Sequence, residues 1–304
     1  MLKNQKYGVE IEFTGITRYQ AASVVAKILN CRIGEVEEHT YYTRSMVDSQ
    51  GRKWKIMRDG SIYTEGRSDE YSVEFVTPPL NYEDIELLQE IIRALRKRGA
   101  HANSSCGIHV HVDGANHNAK SLRRMVNFFA NRQSLVYEGL EISASRSRRW
   151  CQPISATLAN AMYQKKDITL AEMEAIWYSE ANDHYYGTID HRHYNSTRYH
   201  GLNLHAFFSK GTVEFRLFNS TLHAGKIKAY VQFCLAVSAW AITSKDSVRF
   251  PSMREMTQKE KDDFFNFTIL QRRFGLVGDE FKTCRLHILN GFNGLANRAA
   301  SNAA

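Results

Sequence analysis

The chain has 304 residues, 43% hydrophobic and 24% charged, a globular composition that excludes a disordered, collagenous or repeat-built protein. Lys and Arg exceed Asp and Glu by 40 to 32, so the net charge is +8 and anionic partners are favoured: nucleic acid, nucleotide or an acidic polymer. No apolar stretch approaches the roughly 20 residues of a membrane span, and Met1–Tyr7 lacks a signal-peptide core, so a cytoplasmic protein is expected.

Tyr7–Phe13 alternates apolar and polar residues and reads as a strand. Arg18–Leu29 is an Ala/Val-rich helix with Thr17 as its N-cap. Arg32–Val36, Tyr41–Val47 and Lys53–Met57 read as short strands, with a hairpin turn at Ser49-Gln50-Gly51. A turn at Asp59-Gly60-Ser61 leads to a strand over Tyr71–Thr77, which Pro78-Pro79 ends. Tyr82–Lys97 is an amphipathic helix whose stripe is Ile85, Leu88, Ile91, Ile92 and Leu95, stopped by Gly99. Ile108–Asp113 is a strand, and Ser121–Tyr137 a helix with a serine cap. Helices over Ser155–Tyr163 and Leu170–Ser179 precede a loop dense in His, Tyr and Arg. Leu202–Phe208 and Thr212–Asn219 form a predicted β-hairpin across Ser209-Lys210-Gly211. Ala224–Thr243 is a long buried helix, and Lys259–Phe267 and Leu270–Phe274 are helical. This order argues an α+β fold with a largely antiparallel sheet. Residues 1–290 are expected to be one catalytic domain, with 138–200 a helical or lid insertion and 291–304 a flexible tail. No GxGxxG or P-loop pattern occurs, which removes the Rossmann and P-loop nucleotide sites.

Strand side chains alternate faces, so residues i and i+2 share one. Val9-Glu10-Ile11-Glu12-Phe13 therefore presents two carboxylates on one face and apolar groups on the other. Ile108-His109-Val110-His111-Val112 presents two imidazoles, and Val213-Glu214-Phe215-Arg216-Leu217 a carboxylate and a guanidinium. Glu74 sits likewise between Val73 and Phe75. Were these strands neighbours, their carboxylates would repel strongly unless cations neutralised them. An oxygen-rich set with imidazole suits Mg²⁺ or Mn²⁺. A solvent-washed sheet face accounts for any single pair. Three pairs, with His and Arg in place of the usual Thr, Lys and Ser, favour a metal and phosphate cleft.

These segments resemble the amidoligase family, a branch of the glutamine synthetase and glutamate–cysteine ligase superfamily. The resemblance runs through Tyr7-Gly-Val-Glu-Ile-Glu-Phe13, Arg58-Asp-Gly-Ser61, Val73-Glu-Phe-Val-Thr-Pro-Pro79 and Cys106-Gly-Ile-His-Val-His-Val-Asp113. It continues from Arg198-Tyr199 through Leu202-Asn203-Leu204 to Thr212-Val-Glu-Phe-Arg-Leu-Phe218. The resemblance implies an antiparallel half-barrel sheet with helices on one face, holding ATP and Mg²⁺ or Mn²⁺. It implies a ligase that joins a carboxylate to an amine through an acyl phosphate. Glu10, Glu12, Glu74, His109 and Glu214 then resemble metal ligands. Arg216 resembles the arginine on the transferring phosphoryl group, Arg198 a second phosphate or carboxylate ligand, and His111 a partner of phosphate or substrate. Asn203 falls among the nucleotide-binding residues. Glutamine synthetases supply a further metal Glu near the one resembling Glu74; here only Glu65, Asp69 and Glu70 are near and none aligns, which leaves the number of ions open.

Other readings stand beside this one. A metal-dependent hydrolase or phosphotransferase would use the same residues, and the +8 charge admits a nucleic-acid-binding module with a degenerate cleft. No nucleic-acid motif accompanies the basic residues, and the intact Arg198, Glu214 and Arg216 argue against degeneracy. Five cysteines without a CxxC pair give neither a disulfide framework nor a zinc knuckle. Cys106 as a nucleophile would suggest a thioester, but a small buried thiol packing beside Gly107 is favoured. His184, His191, His193 and His200 match no closed zinc spacing, so Asp183–His200 is read as a lid over the substrate cleft. His205 and His223 are assigned hairpin or helix-cap roles, and Trp54, Trp150, Trp177 and Trp240 core or loop anchors. The acid and the amine, whether free metabolite, peptide or protein, are not specified by the sequence.

Overall fold

The computed structural model describes residues 1–165, 167–179, 189–245 and 255–292. Their main elements are, in order, β1 (Tyr7–Phe13), α1 (Arg18–Leu29), β2 (Ile33–Val36), β3 (Arg44–Val47), β4 (Lys53–Met57), β5 (Val73–Val76), α2 (Ile85–Arg98) and β6 (Gly107–Asp113). There follow α3 (Ala119–Gly139), α4 (Ala144–Arg149), α5 (Ala156–Gln164), α6 (Leu170–Tyr178), β7 (Leu202–Asn203), α7 (His205–Lys210) and β8 (Thr212–Asn219). The chain ends with α8 (Ala224–Thr243), α9 (Gln258–Asp263), a π-helical stretch over Phe264–Arg273 and α10 (Lys282–Ile288). The strands belong to one eight-stranded open sheet, mixed with helices as the α+β reading requires. Contacts divide the chain into two compact units, Lys3–His111 with Phe218–Val231, and Met1–Leu2 with Val112–Leu217 and Gln232–Ala304.

In the first unit the strand order is β2-β3-β4-β5-β1-β6. The β1–β5, β2–β3, β3–β4 and β4–β5 pairings are antiparallel. The register sets Glu12 of β1 opposite Glu74 of β5. Val9, Ile11, Phe13, Val73 and Phe75 are buried, as their alternation demands, and Trp54 of β4 stacks on Phe75 with ring centroids 6.0 Å apart. Full burial of each such side chain contributes roughly 1.5–3 kcal/mol. Helix α1 packs on α2 and on β3 and β4. A capping box closes its start, where Thr17 accepts from Gln20 N, and Asn30 in the left-handed region ends it. The α2 stripe of Ile85, Leu88, Ile91, Ile92 and Leu95 is buried, and Gly99 stops the helix at φ +112°.

The second unit is built on α3, against which α5 packs, with α6 beyond it. Phe128, Trp240 and Phe274 form its aromatic centre, with centroids 5.0–5.9 Å apart. Here β7 pairs antiparallel with β8, matching Asn203 to Glu214. Differences from the sequence reading include the start of α3 and the strand before β8. Helix α3 starts earlier, because Asn118 rather than Ser121 is the cap; Ser121 is the third residue of the capping box. The predicted hairpin strand Leu202–Phe208 is only Leu202–Asn203, followed by α7. Gly211, at φ +77°, donates to the Phe207 carbonyl and ends α7, so Ser209-Lys210-Gly211 is a helix stop and not a hairpin turn. Among the described residues no helix is long and apolar enough to cross a membrane.

Candidate functional site

The first unit gathers acids and imidazoles on the polar side of β1, β5 and β6. Glu10 and Glu12 come from β1, Glu74 from β5, and His109 and His111 from β6. His109 Nδ1 lies 2.8 Å from Glu10 Oε2, and its Nε2 lies 3.8 Å from Glu12 Oε1. His111 Nε2 lies 3.2 Å from Glu10 Oε1. The Gly107 amide donates to Glu12 Oε2 at 2.6 Å, which fixes that carboxylate from the start of β6. Glu12 and His109 are 4% and 5% exposed, so electrostatic interactions here are only weakly screened by solvent. Burial raises the Glu10 pKa, but the His111 charge and hydrogen bonds from both imidazoles outweigh it and hold the carboxyl well below the usual range.

Within this unit two ligand sets emerge, each with its atoms within 4.8 Å of one another: Glu10, Glu74 and His109, and Glu12, Asp59 and Glu74. Glu74 belongs to both. Asp59 stands just after β4, in the turn where its Oδ1 accepts from Ser61 N.

The second unit places the other predicted residues around β7 and β8. Glu214 Oε2 accepts from Asn203 Nδ2 at 2.7 Å, and Glu214 Oε1 from Arg216 Nη1 at 2.6 Å. All three side chains are buried, and the Arg216 guanidinium lies 6.0 Å from the centre of the Tyr199 ring. Arg198 donates from Nη1 to the His193 carbonyl, and its guanidinium lies 5.7 and 5.8 Å from the centres of the Tyr194 and Tyr199 rings. A pocket in this unit is lined by Arg198, Asn203, His205, Lys210 and Glu214, with His191 and His193 also on its wall.

The model of the family described as putative amidoligase enzyme matches residues 3–238 of the 304. The chain belongs to the putative amidoligase family. No curated protein matches it. Among solved structures it is similar to a bifunctional glutathione synthetase from Pasteurella multocida, with 14% identity and a TM-score of 0.40. All of this chain and 51% of that one are covered, so the amidoligase spans about half the length of that protein.

Asp59 is the acid that sequence reasoning passed over in this amidoligase. It lay within a quoted segment, Arg58–Ser61, but in a turn, where no alternation assigns a face. Two of the acids weighed instead, Glu65 and Asp69, are engaged elsewhere. Glu65 pairs with His101 and Arg67, and Asp69 with Arg58 and Arg18. Cys106 is buried with its sulfur 3.6 Å from Asn103 Oδ1, the packing role favoured above. All five cysteines are thiols. His191 lies 2.6 Å from Glu174, and His200 meets the Pro153 carbonyl and the Trp177 ring. Of the segment read as a lid, Asp183–His200, residues 183–188, with His184 among them, lie outside the described residues. His223 Nδ1 accepts from Lys226 N at the start of α8, as a capping role requires, whereas His205 is the first residue of α7 without capping it, and its Nδ1 meets the Tyr178 hydroxyl.

Proposed function

We propose that this amidoligase is an ATP- and magnesium-dependent carboxylate–amine ligase acting through an acyl phosphate. The observation that carries the reading is the pair of ligand sets sharing Glu74. Their fit to a hard cation is physical. Acids this close and this buried repel one another unless a cation neutralises them, and an oxygen-dominated set with one imidazole suits Mg²⁺ or Mn²⁺. Glu10, Glu74 and His109 would hold one ion, and Glu12, Asp59 and Glu74 a second. When bound, such ions neutralise and orient the phosphate oxygens of ATP.

The remaining work falls to the chain's own groups. The Gly107 amide holds Glu12 in place, and His111 orients Glu10. Arg216 and Arg198 supply guanidinium donors matched to anionic oxygens. In the reaction a carboxylate oxygen of the acid attacks the γ-phosphorus and ADP leaves. The amine nitrogen then attacks the acyl carbon, phosphate leaves and a proton is released. Positioning and electrostatics supply most of the acceleration in such a transfer. The substrates are a carboxylate and an amine, either of them free or carried on a peptide or protein, and the compartment is the ATP-supplied cytoplasm.

The test is ADP release by the purified chain across a panel of acids and amines. Release that needs Mg²⁺ and both co-substrates supports the ligase. Release that is indifferent to the amine overturns it in favour of a hydrolase or phosphotransferase. Calorimetry adds a second readout, since Glu12→Ala should lose Mg²⁺-dependent ATP binding.

A further inference from the structure

The pocket of the second unit carries two cations that lack a carboxylate. Among the described residues neither Arg198 nor Lys210 has an ion-pair partner, although both line the pocket. The acid on the same wall, Glu214, already accepts from Arg216 and Asn203. The acid that pairs with His191 is Glu174, on α6. A concave surface with uncompensated positive charge raises the local concentration of anions.

A neutral donor lines the same pocket. His205 Nδ1 is 2.8 Å from the Tyr178 hydroxyl, and both side chains are buried. Burial pushes the Tyr178 phenol far up, so it keeps its proton. Burial and the nearby Arg198 push His205 down to about 4, so its ring is neutral near pH 7. A neutral imidazole has one N–H. When the Tyr178 hydroxyl donates to Nδ1, that proton sits on Nε2, the nitrogen left for a ligand. The ring is fixed at its root as well, because the His205 amide donates to Asn203 Oδ1 at 2.8 Å.

We propose that this pocket is a subsite for an anionic oxygen group of a substrate, a carboxylate or a phosphoryl, held by Arg198, Lys210 and the Nε2–H of His205, with Tyr178 as the positioning residue. The assignment of that anion to a substrate rests on the ligase reading. The binding itself does not, and the two fail separately.

The experiment uses the full chain labelled with ¹⁵N-histidine. Long-range spectra at pH 7 should show His205 as the Nε2–H tautomer, and Tyr178→Phe should lose that preference. Glutarate and inorganic phosphate are then titrated separately, with the His205 ring as the reporter. Saturable shifts with glutarate alone assign a carboxylate; with phosphate alone, a phosphoryl group; either supports the subsite. Lys210 is exposed, so Lys210→Glu should fold and should weaken binding by about tenfold or more. The proposal is overturned if neither anion moves the His205 ring, or if Lys210→Glu binds as tightly as the wild type. It is also overturned if His205 is the Nδ1–H tautomer. A parallel Mn²⁺ titration reports on the acid cluster of the first unit. Loss there with anion binding intact would sink the ligase reading and leave the pocket standing.

Discussion

The acid cluster of the first unit and the pocket of the second are built by opposite means. Glu10, Glu12, His109 and His111 project from seven-residue strands and Glu74 from a four-residue strand paired with β1, and the apolar residues that alternate with them are buried, so each side chain is aimed by core packing behind it. The pocket is lined mostly from shorter pieces: the two-residue β7, the six-residue α7 and the 3₁₀ helix Ser196–Tyr199 that carries Arg198, with Glu214 from β8. The contrast teaches what each kind of ligand demands. A small hard cation needs oxygens fixed to within a fraction of an ångström, which a sheet supplies. An anionic group of a larger molecule needs charge and a few donors, which short elements supply and can vary.

The comparison can be broken most sharply at Glu74, the residue common to both ligand sets. Glu74→Gln keeps the shape and removes the charge. It should cost more than about 100-fold in affinity for both ions, since even indirect support of a ligand is worth 10–100-fold. Asp59→Asn should affect one ion and leave the other. Mn²⁺ stoichiometry by electron paramagnetic resonance checks this. Equal losses in the two variants would mean that a single ion is bound.

The next effect belongs to Arg216. It lies 2.6 Å from Glu214, so two roles compete: a structural pair, or a donor to the transferring phosphoryl group. An arginine in the second role can contribute on the order of 10³ in rate. Arg216→Lys separates them, because an ammonium maintains the charge pair but not the planar two-point contact. The expected outcome is a fall in kcat of about that size, with ATP affinity changed little. Single-turnover ADP formation within a few-fold of the wild type would assign Arg216 to the structural role.

Away from both sites, His117 is buried between Ser121 and Ser238, with ring nitrogens 3.0 and 2.8 Å from their hydroxyls. Burial pushes its pKa down to about 4, against a modest opposing pull from Asp113. The unfolded chain therefore binds one more proton between pH 6.5 and 4. The stabilisation is complete above pH 6.5 and is lost as the pH falls towards 4, by on the order of 3 kcal/mol. His117→Gln should flatten the acid limb of thermal stability in that window. An unchanged slope would show that other groups set it.

Much of the first unit was legible because it obeys periodicities. Strands β1 and β4 and helix α1 fall on their predicted residues, and the polar alternation named the acids and imidazoles that the structure brings together there. Asp59 was hidden because a turn has no period. In the second unit the apolar run Leu202–Phe208 fits a strand as well as a short helix, and only the stop at Gly211 arbitrates. Likewise, Lys259–Phe267 and Leu270–Phe274 read as helical, but nothing in their pattern separates the π-helix observed over Phe264–Arg273 from an α-helix. Lys210 and His205 could not be grouped from sequence, since only the fold of α7 sets them on one pocket wall.

The smallest effects sharpen that last point, at the two glycines around α7. A Cβ on Gly114 would meet the Gly211 carbonyl oxygen at 2.4 Å and the Phe207 ring at 2.9 Å. Backbone and helix would have to move apart, and the Gly114 N–H bond to that carbonyl would be strained. A Cβ on Gly211 would meet nothing within 4 Å, so only its φ of +77° resists substitution. Gly211→Ala should then cost about 1–2 kcal/mol, the intrinsic penalty of an L-residue in the left-handed region, and Gly114→Ala more. Gly211→Asn should recover part of the loss, because Asn tolerates that region at a helix end. Chemical denaturation of the three variants measures the ranking. A reversed order would mean that α7 does not end at Gly211, and the wall carrying Lys210 and His205 would have to be redrawn.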